Sequence, residues 1–248
     1  MTAGVQIGFS QRIRLEWLER TAALYGMGSA PPRIREVLRG LLQDQISVGG
    51  VSPSSNREKA ISILMRTWVQ VPDELRPLRD EGIAHLRHLP PEEHVVVHWG
   101  MALAVYPFFG EVAESAGRLL RLQGTAASAQ IQRRLCEQHG QRESIARAAR
   151  RVLRCYIDWG VLAETKRKGI YQAAPPRDVD DAPLTAWLLE AALRSRHSNV
   201  ASLQGLAQWT ALFPFSIDPV PRKDIEHSGR IELFRQGVDE EMVLLRSQ

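Results

Sequence analysis

The sequence predicts a mainly α-helical fold on three observations. Apolar residues recur at three- and four-residue spacing through most of the chain, prolines and glycines sit where those runs end, and strand-like alternation is confined to short stretches. Residues 10 to 26 place Ile13, Trp17, Leu18 and Leu24 on one side of a first helix. Pro31 and Pro32 suit the first turn of a second, whose Ile34, Val37, Leu38, Leu41 and Leu42 form its buried stripe. Gly49, Gly50, Ser52, Pro53, Ser54 and Ser55 read as a loop, with Asn56 as N-cap of a helix over about 57–70 that carries Ile61, Leu64 and Trp68. A fourth helix is expected near 73–88, starting at Asp73. Val95 to Phe109 is the most apolar run, but it contains His98 and Pro107 and falls short of the roughly 18 to 20 residues of a bilayer span. It reads as a buried core helix that Pro107 ends, with no membrane association.

Bulk composition narrows the function classes. With 44% apolar and 24% charged residues in 248, the chain can bury one large core or two smaller ones. Cys136 and Cys155 have no neighbouring Cys or His pattern, so neither a disulfide framework nor a zinc cluster is expected, and a reducing cytoplasm fits. The N-terminus carries Arg12 and Arg14 early and has no apolar run of signal-peptide length. The net charge of +4 is too small to argue for a polyanionic partner by itself, so its distribution matters more.

That distribution is uneven. From Arg133 to Lys168 there are ten Lys or Arg against four acids, a surplus of six, which leaves the rest of the chain at net −2. The same region offers the parts of a winged helix-turn-helix in order. Val112, Leu119, Leu120 and Leu122 mark a first helix closed by Gly124; Ser128 is read as the N-cap of a second, which contains Ile131 and Leu135 and ends at Gly140. A third helix over about 142–159 has two faces. Ile145, Ala149, Val152, Leu153 and Tyr156 form one apolar stripe, and Arg147, Arg150, Arg151 and Arg154 centre on the opposite side, with Arg142 just ahead of them. Val161 and Leu162 then begin an extended segment, Lys166, Arg167, Lys168 and Gly169 make a hairpin tip, and Ile170 and Tyr171 return. Arginine can lie along phosphates or reach the major-groove edge of guanine, and a basic wing would sit beside the backbone. Arg142, Arg147, Arg150, Arg151, Arg154, Lys166, Arg167 and Lys168 are therefore the expected contacts to double-stranded DNA.

The Pro- and charge-rich stretch from Ala173 to Asp181 reads as a linker. The expected organisation is thus a helical N-terminal region over 1–110, the winged helix-turn-helix over 111–173, and a small α+β C-terminal domain over 182–248. That last domain would hold helices near 184–196 and 202–212, and a strand pair between Phe213, Phe215, Ile217 and Ile231, Leu233. Other candidates carry less. His94 and His98 have helical spacing, but Val95 stands where a zincin needs Glu, so a core role is expected. Gly26, Gly28 and Ser29 lack the third glycine of a dinucleotide loop, and neither a nucleophile elbow nor a P-loop is present. The six tryptophans fall about one per helix and read as core anchors. The loop from Gly49 to Lys59, with Arg57, Lys59 and Arg66, is either a second basic contact surface or an ordinary exposed loop.

The order of features resembles that of the BrxA family, small helical DNA-binding components of BREX phage-defence systems. The resemblance runs from about Ile13 to Leu162 and rests on SPSSNREKAISILMRTW, HWGMALAVYPFF and RESIARAARRVLRCYIDWGVL; the tail after about Pro175 lies outside it. It implies a non-catalytic binder of duplex DNA that works beside other defence-system proteins in bacteria. The expectation is a DNA-binding protein with no catalytic residues, metal or small-molecule cofactor. The alternatives are a protein-protein adaptor whose basic helix meets an acidic partner, and a winged-helix transcriptional repressor.

Overall fold

Each apolar stripe at helical spacing has to be buried against another element, and this sets the layout. In the computed structural model, which describes residues 7–46, 55–196, 198–217, 222–226, 229–237 and 240–246, the stripes fold as a mainly helical protein with a few small sheets. Helices α1 (Leu15–Gly26), α2 (Pro31–Leu41), α3 (Asn56–Trp68), α4 (Arg76–His88) and α5 (His94–Val105) come first. α5 is buried from Val95 to Val105 on every side, and α1, α3 and α4 pack on it, with α2 outside against α1 and α3.

Several boundaries differ from the sequence-based expectation. Residues 7–14 precede α1 as non-helical chain, while Ser55 rather than Asn56 is the N-cap of α3, its Oγ accepting from Glu58 N at 3.2 Å. The Gly49–Ser54 part of the expected loop lies outside the described residues. Asp73–Leu75 is a 3-10 turn that leads into α4. Pro107 follows the break after α5 at Tyr106 and starts α6 (Pro107–Gln123), five residues before Val112, because a first helical turn has no use for the N–H that proline lacks. No single helix among the described residues is long and apolar enough to cross a membrane; α5 and α6 reach that length only together and are bent by 117°.

Gly124, left-handed at φ 72°, closes α6 as expected. There follow β1 (Ala126–Ala127), α7 (Ser128–His139), α8 (Glu143–Asp158), β2 (Leu162–Glu164) and β3 (Ile170–Ala173), with β3 in the middle of an antiparallel sheet of order β1-β3-β2. The N-cap position of α7 is Ala127, and Ser128 Oγ instead accepts from Gln132 Nε2 at 2.8 Å.

The stretch expected as a linker contains β4 (Arg177–Val179). Beyond it lie α9 (Ala182–Arg194), β5 (Val200–Ser202), α10 (Leu203–Ala207), a 3-10 turn at Thr210–Leu212, β6 (Phe215–Ile217), α11 (Arg222–Ile225), β7 (Ile231–Gln236) and β8 (Glu240–Leu245). The expected pairing of the 213–217 and 231–233 segments does not form: β6 lies parallel to β4, and β7 pairs with β8, which also pairs with β5. A hairpin between neighbours closes a shorter loop than a return to β6 would. α9 is buried from Leu184 to Leu193 and packs on α5 and α4, where Trp187 Nε1 donates to Leu78 O at 2.8 Å. Trp99 Nε1 on α5 donates to Ala211 O at 3.1 Å. One continuous apolar core therefore runs through all three segments of the chain.

Candidate nucleic-acid interface

The two-faced pattern of α8 decides how it sits. Ile145, Ala148, Ala149, Val152, Leu153, Cys155 and Tyr156 are buried, and Tyr156 packs its ring against Trp99 and Phe109 while its hydroxyl donates to Phe109 O at 2.6 Å. That fixes the helix axially and leaves the opposite face to solvent. Arg147, Arg150 and Arg154 are exposed on that face, and Arg142 is exposed at the N-cap position. Arg147 pairs with Glu143 one turn back at 2.7 Å, and Arg154 Nη1 reaches Glu164 Oε1 on β2 at 2.6 Å. Arg150 has no ion pair among the described residues.

Arg151 is placed differently from its three neighbours. It is half-buried, and its Nη1 donates to Ser10 O at 2.6 Å. Burial, and after it the like charge of Arg147, pull its guanidinium below the ordinary value. Its first job is to hold the N-terminal segment.

Lys166, Arg167 and Lys168 are all exposed on the turn between β2 and β3. Thr165 builds this turn: its N–H donates to Ile170 O at 3.1 Å, and its Oγ1 accepts from Arg167 N at 3.2 Å. Gly169 takes φ 79°, a conformation that costs other residues strain, and its carbonyl accepts from Ser128 N at 2.9 Å. The three cations are thus held beside the start of α7. The ion pair from Arg154 to Glu164 joins the same hairpin to α8.

Sequence reasoning missed the N-terminal segment that lies along α8. Phe9 and Ile13 are fully buried. Ile13 N donates to Cys155 Sγ at 3.1 Å, Trp159 Nε1 donates to Ile13 O at 2.9 Å, and Arg12 grips Asp158 with two hydrogen bonds of 2.5 and 2.6 Å. These partners lie more than 140 residues apart, so no local pattern announces them; the apolar Phe9 and Ile13 beside Arg12 are the only trace. The pairing neutralises Asp158 at the C-terminal end of α8.

The histidines with helical spacing meet one carboxylate, His98 fully buried and His94 partly. His94 Nδ1 and His98 Nε2 each lie 3.0 Å from Glu19 Oε1, and His98 Nδ1 accepts from Trp68 Nε1 at 3.1 Å. Among the described residues no group of three or more His, Cys, Asp or Glu could hold a metal ion. Gly28, at φ 78°, ends α1 in a turn. Trp17, Trp68, Trp99, Trp159 and Trp187 are buried anchors, and Trp209 is partly buried. Comparison of the chain with protein families, with curated proteins and with solved structures gives no match.

Proposed function

We propose that this chain binds duplex DNA without catalysing a reaction, through a winged helix-turn-helix formed by residues 107–173. In this reading α6, α7 and α8 are its three helices, β1 is the short strand between the first two, and β2 and β3 are the wing. One observation carries the reading. The hairpin that carries the exposed Lys166, Arg167 and Lys168 is joined to the arginine-bearing helix α8 by the Arg154 to Glu164 ion pair, at 2.6 Å. A helix laid in the major groove would put Arg147, Arg150 and Arg154 at base edges or flanking phosphates, and Lys166, Arg167 and Lys168 beside the neighbouring backbone. Arg150, which has no ion pair among the described residues, is the side chain best able to contact DNA directly, whereas Arg151 is engaged with Ser10 O. The resemblance to the BrxA family extends the proposal to a role beside other proteins of a bacterial phage-defence system.

The test is charge reversal of a residue whose removal leaves the fold alone. Arg150→Glu in the full chain should weaken binding to a random duplex by at least about tenfold, near 1.4 kcal/mol, with an unchanged circular dichroism spectrum. Equal affinity of a folded Arg150→Glu protein and its parent would remove α8 from the interface and favour an acidic protein partner elsewhere.

A further inference from the structure

The basic surface does not stop at α8. Three consecutive residues of the N-terminal segment lie between α8 and α3. Phe9 stacks edge-on against Tyr106, whose hydroxyl donates to Ile63 O of α3 at 3.1 Å. Ser10 O takes the hydrogen bond from Arg151 of α8, and Gln11 Nε2 donates to Asn56 Oδ1 at the start of α3 at 3.3 Å. Adjacent Cα atoms are about 3.8 Å apart, so α3 begins about two side-chain lengths from Arg151.

The exposed side of α3 is itself basic. Lys59, Ser62 and Arg66 follow one another at three- and four-residue spacing, which puts them on one face, and all three are exposed. Neither Lys59 nor Arg66 has an ion pair among the described residues. The single acid of α3, Glu58, is turned away and shared by Arg39 at 2.7 Å and Arg35 at 3.4 Å of α2, so two guanidinium groups face one carboxylate. The local balance is positive, with no acid of α3 left free to repel phosphate.

We infer that a bound duplex continues from α8 across residues 9–11 and lays its phosphate backbone on Lys59 and Arg66 of α3. This inference rests on the winged-helix reading and deepens it: the DNA site is a composite of two segments far apart in sequence, α3 and α8, joined by residues 9–11, and its footprint exceeds that of the winged helix alone. The contacts are to phosphate, so they add affinity without sequence preference.

The experiment compares the parent with a Lys59→Ala/Arg66→Ala double variant, both full-length and both checked by circular dichroism. Binding is measured across a salt series on duplexes of about 12 and about 30 base pairs, the shorter being little more than one helical turn. On the long duplex the slope of log affinity against log salt should become shallower by about 1.8, for two lost phosphate contacts. The short duplex should respond less. An unchanged slope on the long duplex, where Arg150→Glu still weakens binding, overturns the extension and leaves the winged-helix reading standing. A parent that binds neither duplex overturns both.

Discussion

Gly117 sits where α6 meets the 3-10 turn at Thr210–Leu212, and its lack of a side chain is what permits the approach. A Cβ at this position would stand 1.8 Å from Thr210 O, 2.7 Å from Thr210 C and 2.9 Å from Phe213 Cδ1. Two of those three atoms are backbone, so rotamer changes cannot relieve the overlap. The Thr210 segment is also held in place, since Thr210 Oγ1 donates to Glu114 O at 3.2 Å and Ala211 O accepts from Trp99. Overpacking of a fixed core costs about 1 to 3 kcal/mol or more, while alanine gains about 1 kcal/mol over glycine in a helix interior. With backbone atoms at 1.8 and 2.7 Å, Gly117→Ala falls at the upper end of that range, a net loss of about 2 kcal/mol after the helix gain and a fall of about 4 to 8 °C in melting temperature for a chain of this size. Gly40 in α2 is the control, because a Cβ there meets nothing within 4 Å. Gly40→Ala should be neutral or gain up to about 1 kcal/mol. Thermal and urea denaturation of the two variants beside the parent gives both values. A Gly117→Ala protein as stable as its parent would refute the docking of the C-terminal segment on the first helix of the proposed DNA-binding unit, and with it the single core.

Three further outcomes follow from individual polar side chains. Burial pulls the imidazoles of His98 and His85 below their ordinary value near 6.5, for His98 against the raising effect of Glu19. Unfolding lets each take up a proton, so stability should be full above about pH 6.5 and decline as the pH falls below it. Urea midpoints that stay level from pH 7.5 to 5.5 would contradict neutral burial of both. Burial also pushes the Cys155 thiol up to about 12, so in the native protein it should react with a disulfide reagent at pH 8 only as fast as the chain opens; rapid modification would show that the N-terminal segment does not cover it. Arg12→Ala should lower stability by about 1 kcal/mol, since its pair with Asp158 is bidentate but half open to solvent; an unchanged midpoint would mean that the pair contributes nothing.

The helices were legible because their signals are local. The faces of α8 follow from the spacing of Ile145, Val152 and Tyr156 against Arg147, Arg150 and Arg154, and the hairpin tip follows from three cations ahead of Gly169. What the sequence does not reveal is non-local. Arg151 shares the arginine spacing, yet its role is set by Ser10, 141 residues away. Pro107 reads equally well as the end of one helix or the beginning of the next, and only the break at Tyr106 decides. The Pro-rich stretch at 173–181 has linker composition, but Val179 is buried, β4 finds a partner in β6, and α9 has apolar residues on every side and so needs a core to enter. The apolar face of α5 that receives α9 is hidden inside a run that is hydrophobic all round and therefore gives no hint of which partner takes which side. Within the candidate interface, composition and periodicity gave the cations, and long-range packing distributed their roles.

The proposal that this is a DNA-binding protein is tested most directly by binding of the unaltered chain to a random duplex and to the matching single strand as salt is varied. The account predicts a duplex preference whose log affinity falls with log salt at a slope of about −4 to −6, as expected for that many neutralised phosphates. Absence of duplex binding at low salt, or binding that does not respond to salt, would contradict it.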